Sequence, residues 1–245
     1  MRYVILGGSS GVGRALARCF AAAGNDLIVV SSDQRDVNAM AEDLSIRYKS
    51  EVLPLAFDIA DLDQNLALLR SAIRRTGEID GLFFPVGAVL KGDDGTLGSS
   101  EANWLTSVNF LSVATIVAAF LPVLEARPSA TIVGFGSVAA LRGRRNNVVY
   151  AAAKRALASY VESLRHRCAG SNVTVQFYVL GYMDTALAFG RTRGPIWKGD
   201  PDALSKRVLD NIGRDVGVVY YPKIWRAVCA VLWMIPWSVF KRLSF

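Results

Sequence analysis

The sequence predicts an α/β fold, a doubly wound parallel sheet of about seven strands with helices on both faces. Three observations carry that expectation. Short runs rich in β-branched and aromatic residues alternate with stretches of helical periodicity from the first residues onward. The runs are apolar without alternation, as strands buried on both faces are. A glycine-rich turn, "LGGSSGVGRALA" (6–17), stands directly between the first run and the first helix.

Taken in order, "YVIL" (3–6) reads as the first strand, followed by a helix from about Val12 to Ala23 that stops at Gly24. "DLIVV" (26–30) is the second strand, and a polar helix runs from there to about Lys49. "VLPLAF" (52–57), "IDGLFF" (79–84), "ATIVGF" (130–135) and "VTVQFYV" (173–179) supply further strands. Helical stretches lie between them around 62–75, 101–126 and 147–168. No linker-like or low-complexity segment divides the 245 residues, so one domain over 1–245 is expected.

Composition narrows the function. No uninterrupted apolar run reaches the roughly 18 residues of a membrane span. The chain enters a strand at once, so no signal peptide is expected. Cys19, Cys168 and Cys229 are widely spaced and odd in number, which suits a reducing cytoplasm and no disulfide framework. His166 is the only histidine, so histidine-based triads have little to work with and no metal site is expected. The net charge of +7 comes without aromatic-basic interleaving or a helix-turn-helix pattern, so nucleic acid is not an expected partner. An anionic substrate or a membrane surface fits that charge better.

At the first turn, Gly7, Gly11 and Gly13 form GxxxGxG, where glycine lets a phosphate approach the backbone and the helix N-terminus meets it with free N–H groups. Tyr150 and Lys154, in "VVYAAAKRAL" (148–157), lie four apart on one helix face. Alone, that pair reads equally as a half-buried ring beside a snorkelling lysine. With Ser137 thirteen residues before the tyrosine, the set resembles the short-chain dehydrogenase/reductase family over nearly the whole chain. Asp58 in "LAFDIAD", Asn109 in "SVNFLS" and Thr185 in "LGYMDT" are similar to the family's acidic residue near the adenine, its helix asparagine and its threonine beyond the sixth strand. Leu6 in place of a threonine, "FPVG" (84–87) in place of NNAG, and Leu180-Gly181 in place of PG depart from the pattern.

The resemblance implies a Rossmann-like fold, a homo-oligomer (dimer or tetramer), and hydride transfer between NAD(P)(H) and a carbonyl. It implies Ser137, Tyr150, Lys154 and Asn109 as the catalytic set. Tyr150 would be the proton donor, Lys154 would lower its pKa and bind the nicotinamide ribose, and Asn109 would hold a water. For Asn109 a buried asparagine satisfying backbone groups is the alternative. Gly7, Ser9, Ser10, Gly11, Val12, Gly13, Ser31, Ser32, Asp58, Ile59, Gly87, Tyr150, Lys154 and Thr185 would bind the cofactor. Ser31 stands where a carboxylate would select NADH, which favours NADP(H), with Ser32 and Arg35 at hand and Asp33 close by.

The last third, with "VGVVYYPKIWRAVCAVLWMIPWSVFKRLSF" (216–245) and "RRNNVVY" (144–150), resembles a narrower group. These reductases act on decaprenylphosphoryl-2-keto-β-D-erythro-pentofuranose, in making the lipid-linked arabinose donor. That implies a lipid-linked sugar substrate. Arg144 and Arg145, with Arg142 beside them just beyond the Ser137 strand, could grip its phosphate by charge-assisted bonds, and a solvated basic loop is the alternative. The apolar/basic segment 225–245, with Trp225, Trp233 and Trp237 ahead of Lys241 and Arg242, suits peripheral contact at the inner membrane face. Burial between subunits is its alternative. A soluble reductase of a small ketone or another keto sugar, and a non-catalytic dinucleotide-binding protein, are the competing functions.

Overall fold

The computed structural model describes residues 1–185 and 197–243, the side chain of Gln64 apart. Seven strands form one parallel sheet: β1 (Arg2–Leu6), β2 (Asp26–Ser31), β3 (Val52–Ala56), β4 (Gly81–Phe84), β5 (Ala130–Ser137), β6 (Val173–Leu180) and β7 (Val218–Tyr221). They lie in the order β3-β2-β1-β4-β5-β6-β7. The chain therefore winds outward twice from the middle, with the reversal between β1 and β4. Crevices at such a reversal, beyond the carboxyl ends of the strands, are where open α/β sheets bind ligands. The seventh strand was not among the runs read from the sequence.

Strand periodicity divides the core in two. Val4 and Leu6 of β1 and Ile28 and Val30 of β2 face one way, toward Leu69 of α3 (Leu62–Thr76), Phe120 of α5 (Ser112–Glu125) and Val161 of α6 (Val148–Cys168). Tyr3, Ile5, Leu27 and Val29 face the other way, toward Phe20 of α1 (Gly11–Ala22), Val37 of α2 (Gln34–Tyr48) and Leu204 of α7 (Pro201–Asp210). On that second face Tyr3, Phe20 and Phe83 close a ring cluster with centroids 4.9–5.1 Å apart. Both faces are buried, which is why these strands show no polar alternation.

The predicted helix 101–126 is three pieces in one rod: α4 (Ser99–Thr106), a π-helical turn (Ser107–Leu111) and α5. By length and mean hydropathy the whole stretch 99–125 is long and apolar enough to cross a membrane, which a search for uninterrupted apolar runs does not register. Its most apolar 18 residues are half buried in the core, including Ile116, Val117, Phe120 and Leu124, so it is a core helix here. The C-terminal segment forms α8 (Ile224–Met234) and α9 (Trp237–Phe240). Only Cys229 and Phe240 of these two helices are buried. Of the predicted segment 225–245, residues 244 and 245 lie outside the described residues.

Candidate active site

The carboxyl ends of β1, β2, β4, β5 and β6 open into one cleft of about 880 Å³. The glycine-rich turn forms its floor. Gly7 takes φ +93°, and its N–H and that of Gly8 both donate to the Val30 carbonyl, fastening the turn to β2. Ser10 caps α1: its Oγ accepts from Gly13 N at 2.9 Å and donates to Gly7 O at 2.8 Å. A Cβ at Gly13 would lie 2.1 Å from the Gly7 carbonyl oxygen, and one at Gly11 would lie 2.4 Å from Thr185 Cγ2. Only glycine lets the turn close this tightly. Gly7, Ser9, Ser10, Gly11, Val12 and Thr185 line the cleft, whereas Gly13 supports it from behind.

This cradle, which a side chain would fill, sits at the positive end of a helix and fits the pyrophosphate of a dinucleotide. Ser31, Ser32, Asp58 and Ile59 continue the same wall. Asp58 Oδ2 accepts from the Trp104 indole at 3.3 Å, and its Oδ1 from Ala60 N. Asp33 caps α2, its Oδ1 accepting from Arg35 N and Asp36 N. That carboxylate is committed to the helix, and neither Asp33 nor Arg35 is part of the cleft wall. Ser31, nearly fully buried, supplies the polar group at the end of β2.

At the far end, four backbone positions after β4 collect bonds from three directions. Pro85 O accepts from Ser10 Oγ at 3.2 Å. Val86 O accepts from Lys154 Nζ at 2.8 Å, and Lys154 also donates to Phe135 O at 3.2 Å. Ala88 bonds both ways with Asn109, whose Nδ2 donates to Ala88 O and Leu105 O and whose Oδ1 accepts from Ala88 N. Gly87 lies between Asn109 and Lys154, where a Cβ would meet both at 3.5–3.6 Å. Asn109, in the π-helical turn, is fully buried and is not part of the cleft wall. The structure thus gives it backbone partners, the alternative the sequence left open.

Lys154 is 3% exposed, and burial lowers its pKa from 10.5 to about 7. A neutral amine has two N–H groups, matching the two carbonyls it meets. Ser137 ends β5, where its Oγ accepts from Ala139 N at 3.1 Å, and it lines the cleft with Tyr150 and Lys154. The sequence-predicted trio is therefore brought together.

The arginines are not. Arg142 donates to Leu232 O and Ile235 O at 2.7 and 2.6 Å, and its guanidinium stacks 3.9 Å above the Phe240 ring. It fastens the C-terminal helices rather than gripping substrate. Arg144 lines the cleft, while Arg145 faces a second cavity of about 780 Å³, which Arg144 also lines. Trp225 likewise departs from expectation. It packs on Gly181, pairs with the Tyr182 ring at 5.7 Å and forms part of the cleft wall, not an outer surface. Neither Tyr182 nor Asp93, the buried carboxylate below the Tyr150 helix, was singled out from the sequence.

Residues 2–194 match the model of the short chain dehydrogenase family. The chain belongs to that family. It is 27% identical over 199 residues to an NADP-dependent 3-hydroxy acid dehydrogenase of Schizosaccharomyces pombe, covering 80% of this chain and 77% of the relative. A short-chain dehydrogenase/reductase of Burkholderia phymatum, solved in complex with NAD, superposes with a TM-score of 0.82 at 24% identity, covering 93% and 91% of the two chains. One from Sphingobium yanoikuyae, solved with NADPH, gives 0.81 at 22% identity, covering 99% and 96%. Likeness at this identity speaks for the fold alone. As a short-chain dehydrogenase the protein is an NAD(P)-dependent oxidoreductase.

The buried lysine leaves a mark on stability. Because the Lys154 pKa falls from 10.5 to about 7 on folding, the unfolded chain holds up to one more proton than the native chain between about pH 7 and 10.5, most fully at about pH 8 to 9. Stability from this group therefore rises with pH across that window. The buried thiols of Cys168 and Cys229, raised above 9.0, act in the opposite sense only at higher pH. Urea unfolding at pH 7, 8 and 9 should show this rise in the wild type and lose it in Lys154→Met. Equal slopes for the two proteins would contradict the assignment.

Proposed function

We propose that this short-chain dehydrogenase uses NADPH to reduce the keto group of a sugar carried on a lipid phosphate, with the 2-keto pentofuranose of a polyprenyl phosphate as its substrate. A bound nicotinamide dinucleotide supplies the hydride. Tyr150 gives its phenolic proton to the carbonyl oxygen as charge develops there, and the Ser137 hydroxyl holds that oxygen by a hydrogen bond. Lys154, poised to gain and lose a proton near neutral pH, favours the phenolate when protonated and then returns the proton to it. Asn109 acts as a positioning residue, holding Ala88 and so the strap on which Lys154 rests. The absence of a carboxylate at Ser31, with Asp33 committed to its helix, supports NADPH over NADH.

The observation that carries the substrate reading is that Arg144 lines both the catalytic cleft and the second cavity. Asn146, Asn147, Tyr182 and Trp225 give the cleft polar and aromatic groups suited to a sugar ring. The second cavity combines Arg145, Arg155 and Lys241 with Trp233 and Trp237, suited to a phosphate followed by an apolar chain. Trp233 and Trp237 are 64% and 66% exposed, with Val231 and Met234 beside them. That surface supports peripheral docking at the inner, anionic face of a membrane. The half-exposed rod 99–125 supports assembly as a dimer or tetramer.

Three outcomes test this. Tyr150→Phe keeps the ring and removes the proton donor, so turnover should fall at least ~100-fold while NADPH affinity holds. Retention of most activity would remove Tyr150 from the mechanism. Replacing Arg144 and Arg145 together with alanine should raise KM for a phosphate-bearing lipid substrate on the order of tenfold more than for a truncated neutral ketone, since a charge-assisted contact contributes ~1.5–3 kcal/mol. Equal effects would favour a reductase of small ketones. The protein should sediment with phosphatidylglycerol vesicles, less so at high salt, and Trp233→Glu should abolish this while leaving its assembly state unchanged. A lipid-blind protein whose oligomer dissociates on that change would put the tryptophan face between subunits instead.

A further inference from the structure

The first turn of α6 carries Tyr150, and its cap comes from a distant loop. Helices begin with N–H groups that have no partner within the helix, and a capping side chain just upstream normally meets them. Here Asn147 takes that place in a left-handed conformation (φ +58°), and its side chain makes no capping bond. Asp93, 57 residues before Tyr150, supplies the partners instead. Its main-chain oxygen accepts from Val148 N at 3.2 Å, its Oδ1 from Val149 N at 2.8 Å and its Oδ2 from Tyr150 N at 2.9 Å. One residue thus meets three consecutive N–H groups of the turn.

Asp93 is 3% exposed. An isolated buried carboxylate is costly, but this one accepts two N–H bonds at the positive end of a helix, which offset its charge. Its neighbour Asp94 is exposed and only closes a local turn, accepting from Thr96 N and Oγ1. The difference between two adjacent aspartates lies in what they hold. A first helical turn tends to fray, and fraying here would swing the Tyr150 ring, because its Cα belongs to that turn. Lys154 lies a turn further in, fixed independently by Val86 O and Phe135 O.

We propose that Asp93 is a positioning residue for catalysis: as a remote cap it locks the turn bearing Tyr150 in register with Lys154 and Ser137. This rests on the role proposed for Tyr150 as proton donor. It predicts a specific split between kinetic constants, since Asp93 acts on the proton donor and is not part of the cofactor wall. A displacement of about 1 Å in a reacting group is enough to cost roughly a hundredfold in rate.

The test is Asp93→Asn, with Asp94→Asn as control, read by amide hydrogen exchange and by steady-state kinetics on the best substrate of a ketone panel. Asparagine keeps one acceptor oxygen and turns an NH2 toward the other N–H, so exchange should speed at least about tenfold at one or both of Val149 and Tyr150, with Val148, held by the main chain, changing less. kcat should fall roughly ten- to a hundredfold while KM for NADPH stays within about twofold. Asp94→Asn should resemble the wild type in both. Unchanged exchange at Val149 and Tyr150, or faster exchange with kcat within about twofold of wild type, would overturn the proposal. So would a loss of protection spread through the core with kcat and cofactor KM worsening together. If Asp93→Asn does not fold, Asp93→Ser, which keeps one acceptor, is held to the same readings, and failure of both to fold makes Asp93 a folding residue only. Tyr150→Phe separates the two ideas: if it stays active, the proton-donor role fails, while the exchange result still reports whether Asp93 caps the helix.

Discussion

The site depends on the backbone strap Pro85–Ala88, where β4 leaves the sheet. Its carbonyls and one N–H receive Ser10 from the phosphate turn, Lys154 from α6 and Asn109 from the π-helical turn. These groups come from three helices that would otherwise pack by shape alone. Buried polar groups must find partners, and here each finds one of them on this strap. The strap therefore sets the distance between the glycine-rich turn and α6. The bonds along "FPVG" and Ala88 run through main-chain atoms, which any side chain at 85 and 86 leaves in place.

The same burial that orders Lys154 tunes it. Burial against two carbonyl acceptors leaves the amine with a pKa of about 7, far from the 10.5 of an exposed lysine. A group with that value exchanges protons readily near neutral pH. Packing and reactivity are one constraint at this position. Around it the cleft divides by chemistry: small residues and a helix N-terminus at the dinucleotide end, and Arg144, Asn146, Tyr182 and Trp225 at the other.

Much of this was legible in the sequence because it is local. GxxxGxG after an apolar run fixes a strand, turn and helix, and the four-residue spacing of Tyr150 and Lys154 fixes their common face. What escaped notice was long-range or carried by backbone. β7 is four residues between Gly217 and Pro222, which read as punctuation rather than as a strand. The π-helical turn that seats Asn109 leaves no compositional trace. Asp93 in "KGDDG" looks like any turn aspartate until α6 is placed above it. Arg142, Arg144 and Arg145 look alike as a basic run and all reach the outer cavity, yet only Arg142 bonds the carbonyls at the end of α8 and only Arg144 also lines the cleft. Trp225 separates from Trp233 and Trp237 for the same reason: only the fold shows that Gly181 makes room for it.

The central claim is that the strap holds Lys154 buried against two carbonyls, and its most direct test is an NMR titration of the lysine side chains labelled at Cε. The account predicts one resonance, absent in Lys154→Met, with a midpoint near the value of about 7 that burial imposes, set apart from the remaining lysines. If every lysine instead titrates near the ordinary 10.5, Lys154 is solvated, the strap does not hold it, and the account of the site fails.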